Sequence, residues 1–379
     1  MNEKEIAELR RRFRAEKSSI ARIRGCFVNE SREVISRFDQ SLGLMRQEES
    51  ERLLAVLRKT LTGTLGKNLL DIAFATRDVA QGEEHRLLMT LRSSRLTDED
   101  AVETLYRKLI DTVDVEGNYL ILLVHDDYDV PYRAKDGARQ DDASSEVFSY
   151  ILCSVCPVKQ TREALSYFAH ENQFRALAPD WVVAPPETGF LFPAFDERST
   201  NLYNALLYTR DTAASREALT QALFHAAAPM PAAAQQETFH TILGEALEEA
   251  CSYQVVQTVH DRLCGLIESH KEAKIEEPLT LTGAAVGQVL SACGVSRDRV
   301  ASFQTRCDDA YGPGADLSPR NLVNPGMLEV RTPDVTIRVS PGRGDLVETR
   351  VIDGARYILI RAEEGVEVNG VQVQIRPET

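Results

Sequence analysis

The sequence predicts an α+β, multi-domain protein: an N-terminal mixed α/β domain with a mainly antiparallel sheet, a helical middle and a small C-terminal all-β domain. Three observations predict it. The chain has 379 residues, too many for one ordinary core. Thirteen of its 25 aromatic residues fall between Tyr128 and Tyr208, in runs such as YILCSVCPV, DWVV, GFLFPAF and ALLYT, a density that suits a sheet with a large core. After the Gly/Pro-rich YGPGADLSP the chain turns β-rich, with explicit hairpin turns.

Residues 3 to 14 read as a short helix, with Ile6, Leu9 and Phe13 at helical spacing. Ile20 to Val28 and Val34 to Phe38, parted by Asn29-Glu30-Ser31, read as a hairpin. A helix follows on Leu53, Leu54, Leu57 and Leu61, and it stops at Gly63. Leu69 to Phe74 is a strand, and a helix on Val102, Leu105, Leu109 and Ile110 leads into NYLILLVHDDYDVP, residues 118 to 131. That stretch is expected to be a buried strand running out into a polar turn.

Residues 213 to 274 are rich in helix formers, with APMPAAAQ as a break, and residues 279 to 311 suggest two more helices divided at Gly294. In the tail, Val335 to Val339, Leu346 to Ile352, Tyr357 to Ile360, Val366 to Val368 and Val371 to Ile375 are strands. Asp353-Gly354 and Asn369-Gly370 match the type I′ turn, which needs positive φ at both central positions. The expected domains are 1–212, 213–277, 278–315 and 321–379, and no internal repeat is present.

Composition narrows the function. The longest apolar run, Tyr119 to Val124, is far short of a membrane span, and the N-terminus lacks a signal peptide's apolar stretch. Seven scattered cysteines do not form a secreted disulfide framework. A cytoplasmic location is expected. The net charge of −14 disfavours DNA and anionic lipid. Residues 1 to 25 are the exception, with eight Lys or Arg against four Glu, which leaves about −18 on the remainder.

The long strings TLTGTLGKNLL (60–70), NYLILLVHDDYDVP and GFLFPAFDERS (189–199), with the TPDV and IDGARYILI segments of the tail, resemble a family of Firmicutes proteins, domain of unknown function 4317. The resemblance extends over nearly the whole chain. It brings no catalytic residues to particular positions and implies a bacterial cytosolic setting.

Several candidate sites stand out. Asp126, Asp127 and Asp129 follow the buried strand, with Asp141, Asp142 and Glu146 shortly beyond. Converging carboxylates would hold Mg²⁺ or Mn²⁺ and serve phosphoryl chemistry. The strand-then-DxD arrangement resembles the haloacid-dehalogenase phosphatases, yet Pro131 stands where that motif has a hydroxyl residue. Arg133, Lys135 and Arg139 lie among the acids, so a solvated loop is the expectation and a metal-dependent phosphoester hydrolase the alternative.

Cys153 and Cys156 form a C-x-x-C pair, but in a strand residues three apart face opposite sides and cannot share one ion. GTLGKN (63–68) lacks the spacing and hydroxyl of a phosphate-binding loop and is expected to be a turn. Residues 284 to 303 have helix-turn-helix spacing, but Leu290 replaces the usual small residue and the second helix has no net charge, so plain packing is expected.

Arg10, Arg11, Arg12 and Arg14 offer phosphate or partner binding, with RNA or the ribosome as an alternative partner. A basic helix lying on the acidic body is favoured over that reading. No cofactor motif is complete, and a divalent metal is the one cofactor the acids would take. The leading expectation is therefore a non-enzymatic binding or regulatory protein with a macromolecular partner.

Overall fold

The computed structural model describes residues 1–133, 139–177, 180–273, 275, 279–340, 343–362, 365–368 and 370–373. The chain divides into two compact units, Met1–Ala233 and Ala234–Thr379.

The first unit opens with α1 (Glu3–Arg12), whose first turn is closed by a capping box between Asn2 and Glu5. β1 (Arg22–Val28) and β2 (Val34–Ser41) form the expected hairpin. α2 (Gln47–Lys59) turns its Leu54 and Leu57 inward, and the GTLGKN turn then leads to β3 (Leu69–Ala73). Next come α3 (Thr76–Gln81), α4 (Glu83–Ser93) and α5 (Glu99–Thr112), the last with Asp98 as its N-cap.

β4 (Tyr119–Arg133) and β5 (Arg139–Gln160) make a long hairpin, and a small arm of β6 (Ala164–Phe168) and β7 (Gln173–Leu177) follows. β8 (Trp181–Val183), β9 (Thr188–Phe192), β10 (Ala194–Asp196), β11 (Ser199–Asn201) and β12 (Asn204–Thr209) precede α6 (Glu217–Phe224).

The main sheet has eight strands in the path β2-β1-β4-β5-β9-β12-β3, all neighbours antiparallel, with β8 added to the end of β5. Helices cover both faces. Leu54 and Leu57 of α2 and Ile6 and Leu9 of α1 pack on Leu122, Val124, Leu152 and Leu206. On the other face Leu88 and Leu91 of α4, Leu105 and Leu109 of α5 and Leu223 of α6 pack on Ile121, Leu123, Val155 and Leu207. Adjacent strand residues thus enter different cores, which explains why central strands such as Leu120–Val124 read as unbroken apolar runs. The first unit extends past the 212 boundary because Leu219, Leu223 and Phe224 of α6 belong to this core.

In the second unit, α7 (Ala232–Leu247), α8 (Tyr253–Ala273), α9 (Gly283–Ala292) and α10 (Arg297–Tyr311) share a core around Phe239, Leu263, Leu290 and Phe303. α11 (Pro319–Leu322) follows, and its Leu322 joins that core. The tail is a series of two-stranded hairpins. β13 (Leu328–Arg331) pairs with β14 (Thr336–Val339), β15 (Val347–Ile352) with β16 (Ala355–Ile360), and β17 (Val366–Val368) with β18 (Val371–Val373). Asp353 and Gly354 both have positive φ, as a type I′ turn demands. Tyr253 of α8 donates a hydrogen bond to the Gly344 carbonyl at 3.2 Å, so the tail is tied to the helices that precede it.

Candidate ligand-binding cleft

The segment HDDYDVP is strand, not turn: β4 continues to Arg133. Asp126, Tyr128 and Val130 are buried in alternation, beneath α1, whereas Asp129 is exposed. Strand periodicity therefore sends the Asp126 and Asp127 carboxylates to opposite faces.

What allows a carboxylate at position 126 is a set of donors from distant parts of the chain. Arg12 Nε lies 3.2 Å from Asp126 Oδ2 and the Tyr150 hydroxyl donates to the same oxygen at 2.9 Å. Ser19 Oγ donates to Oδ1 at 2.5 Å, and Arg12 also bonds Ser19. Burial acts to lower the Arg12 pKa, but the hydrogen bond and charge of Asp126 outweigh it and raise the value. Tyr150 is pushed well up by burial, then by the adjacent carboxylate. The cluster thus holds a charged Arg12 and a neutral Tyr150 on the Asp126 carboxyl. Arg10, Arg11 and Arg12 also occupy the last turn of α1, where cations suit the helix dipole.

A second polar set adjoins the first. Glu8 of α1 accepts from the Tyr128 hydroxyl at 2.6 Å and from Arg198 at 2.5 Å, and Arg198 also donates to the Pro131 carbonyl at 2.7 Å. Arg12 lies over the Tyr128 ring, 5.0 Å from its centroid. Arg198 sits in the β10–β11 turn with φ of 62°, which turns its side chain back across α1. Between these parts opens a cleft of about 440 Å³, walled by Arg11, Arg12, Lys17, Arg198, Glu8 and Glu16, with Ser18 at its edge. Arg12 and Arg198 are neutralised by Asp126 and Glu8. Among the described residues no carboxylate pairs with Arg11 or Lys17, both exposed.

The opposite face of β4 carries a different polar set. Asp127 pairs with Arg95 at 2.9 Å, and His125 Nε2 lies 2.9 Å from Ser149 Oγ and 3.5 Å from Asp127 Oδ1. A catalytic Ser-His-Asp relay needs the serine and the carboxylate on different imidazole nitrogens. Here both reach Nε2, so the set works as a polar clasp between β4, β5 and α4, where Arg92 Nε also holds the Ser149 carbonyl at 2.7 Å. Long-range pairing of this kind left no sequence signal.

Asp141 and Asp142 lie in β5, near the register shift opposite Pro131 and Tyr132, while Asp126 pairs with Tyr150 and Asp127 with Ser149. The side chains of Asp141, Asp142, Glu146, Arg133, Lys135 and Arg139 fall outside the described residues. Asp126 takes its cation from Arg12 of α1, and Asp127 takes its cation from Arg95 in the turn after α4. Among the described residues no group of three or more His, Cys, Asp or Glu side chains is placed to hold a metal ion.

Cys153 and Cys156 enter different cores, and burial pushes the Cys156 thiol up to about 12. In α10, Arg299 bonds the Leu247 carbonyl and Arg306 pairs with Glu245, so two of the arginines of the helix-turn-helix-like segment make contacts within the unit. Arg10 is half-buried and Arg14 exposed.

The long strings of the sequence give the cleft Tyr128, Pro131 and Arg198, and residues 8–18 give it the rest of its described lining. NYLILLVHDDYDVP supplies Asp126, Tyr128 and Pro131, and GFLFPAFDERS supplies Phe195, which packs on Phe148 and Tyr128, together with Arg198. The profile of DUF4317, a domain of unknown function, matches residues 1–371. The chain belongs to this family. The DUF4317 match spans both compact units, the sheet unit and the helical unit with most of its β tail. No curated protein matches the chain in sequence. Among the described residues no helix is long and apolar enough to cross a membrane.

Proposed function

We propose that this DUF4317 protein is a non-enzymatic binding protein of the bacterial cytosol, and that its first unit takes a small phosphate-bearing ligand in the cleft beside α1. The observation that carries the reading is the pair of cations, Arg11 and Lys17, on a polar cleft of about 440 Å³ whose other two cations are already neutralised. An anion there would meet Arg11 and Lys17 against the single carboxylate of Glu16, a net positive charge, with Ser18 and Tyr128 also lining the cleft. Small-molecule sites fall in this size range.

Neither alternative has the same support. A metal-dependent hydrolase needs Asp126, which is already engaged by Arg12, Ser19 and Tyr150, and needs Asp127 on the same face. An RNA contact through Arg10, Arg11, Arg12 and Arg14 loses Arg12 to its ion pair.

Calorimetric titration of the full chain with inorganic pyrophosphate tests the proposal. Saturable, salt-sensitive heat in wild type that disappears in Arg11→Ser/Lys17→Ser supports it. Absence of saturable heat in wild type overturns it, as does binding that survives in the double variant.

A further inference from the structure

The eight-stranded sheet ends on β2, an edge of eight residues with large side chains exposed along it: Ile35 is 57 % accessible and the Arg37 side chain 55 %. Such an edge is a template for another strand unless charge or shape prevents pairing. Its charges decide what it can accept.

The hydrogen-bonding parity of β2 is fixed by its partner. Leu42 N–H donates to the Ala21 carbonyl at 2.9 Å, and the register runs Arg22↔Ser41, Gly25↔Phe38 and Cys26↔Arg37. In an antiparallel ladder, bonded and non-bonded pairs alternate. Gln40 and Phe38 therefore point their amides and carbonyls toward β1, and Arg37, Asp39 and Ser41 point theirs outward. The outward groups belong to one cation, one anion and one neutral residue.

We propose that a second copy of this chain docks on β2, its own β2 running antiparallel across a twofold axis centred on Phe38. In that register Arg37 of one copy faces Asp39 of the other, and Asp39 faces Arg37. Both pairs are bonded through the outward-pointing backbone groups, and both place opposite charges across the strands. Phe38 faces Phe38 at the non-bonded position, where opposed side chains come closest. Centring the axis on Arg37 or Asp39 instead opposes like charges, centring it on Ser36 sets Asp39 against Glu33, and centring it on Gln40 leaves both charges without a charged partner across the strands. The charge pattern is self-complementary in this register, as an isologous dimer requires.

The two sheet faces suit the same arrangement. Phe38 lies over Gly25 and lines an apolar groove of about 450 Å³ with Met45, Leu53 and Val56 of the α2 layer, so two such grooves would meet across the axis. On the α5 face, Arg37 already holds Glu103 at 2.8 Å and Asp39 holds Arg22 at 2.9 Å, which fixes both side chains at the edge before the second copy arrives.

Light scattering of the size-fractionated full chain at micromolar concentration provides the test. Wild type is expected to be dimeric. Arg37→Asp and Asp39→Arg, each creating two like-charge pairs, are expected to weaken the dimer about tenfold or more. An equimolar mixture of the two single variants restores opposite charges in a heterodimer, and the double reversal R37D/D39R restores them in a homodimer. Recovery in both supports the proposal. A monomeric wild type overturns it, as does a dimer indifferent to the single reversals. Single variants that dissociate without recovery in the mixture overturn it as well.

Discussion

Arg12 and Asp126 meet across 114 positions of chain, with Nε 3.2 Å from Oδ2 and the Asp126 side chain wholly shielded from solvent. This pair, together with Tyr150 and Ser19, ties α1 to the β4–β5 hairpin.

Removing one partner strands the other charge in a shielded site. Asp126→Asn and Arg12→Met are each expected to cost the first unit about 3–5 kcal/mol. The double variant should cost less than the sum of the two. Urea unfolding of the full chain measures this, and single variants within about 0.5 kcal/mol of wild type would show the pair to be dispensable.

His125 makes stability depend on pH. Burial lowers its pKa in the fold, helped by Arg95 and Arg92 and opposed by Asp127 and Asp126. The unfolded chain therefore takes up the proton first. Stability holds above about pH 6.5 and declines as the pH falls from there toward the lowered folded value. His125→Gln should flatten this part of the profile relative to wild type. Thermal midpoints of both proteins across that range measure it, and parallel profiles would refute it.

Thiol chemistry should separate the cysteines by depth. Cys26, Cys153, Cys156 and Cys307 are buried, whereas Cys251, Cys264 and Cys293 are part-exposed. A disulfide reagent should reach the part-exposed group in the native protein, slowly at Cys251 and Cys264 because burial raises their thiol pKa and so limits the reactive thiolate, and the rest only on unfolding. Peptide mapping of the labelled protein identifies which is which, and early labelling of Cys153 would contradict the packing.

Gly189 lies in β9 beside Cys153 and Thr60. A methyl group there would stand 2.7 Å from Thr60 Cγ2 and closer still to the Cys153 carbonyl oxygen. Gly189→Ala should cost about 1–3 kcal/mol by overpacking. An unchanged urea midpoint would mean that β9 can move away from β5.

How far these features could be read in the sequence follows the range of the interactions. α5 is legible because Val102, Leu105, Leu109 and Ile110 repeat at helical spacing, and the tail hairpin because Asp353-Gly354 is local chemistry. In HDDYDVP the alternation of Asp126, Tyr128 and Val130 is a strand signal, but the three aspartates outweigh it until Arg12 and Arg95 are seen to meet two of them. Arg198 was equally hidden, since its role depends on a turn that brings it to Glu8. The family strings marked these residues without revealing what they touch.

The sheet order has a further consequence for synthesis. β3 is finished by residue 73, yet its partner in the ladder is β12, and Leu70 and Ile72 find Leu207 and Ala205 only when residues 204–209 exist. The β4–β5 hairpin, contiguous in sequence, can zip as soon as it leaves the ribosome, whereas joining β3 requires closing a loop of well over a hundred residues. A nascent chain must therefore carry the apolar Leu69–Phe74 segment unsatisfied through most of the first unit's translation. That interval is when the polypeptide is most exposed to aggregation and to capture by chaperones.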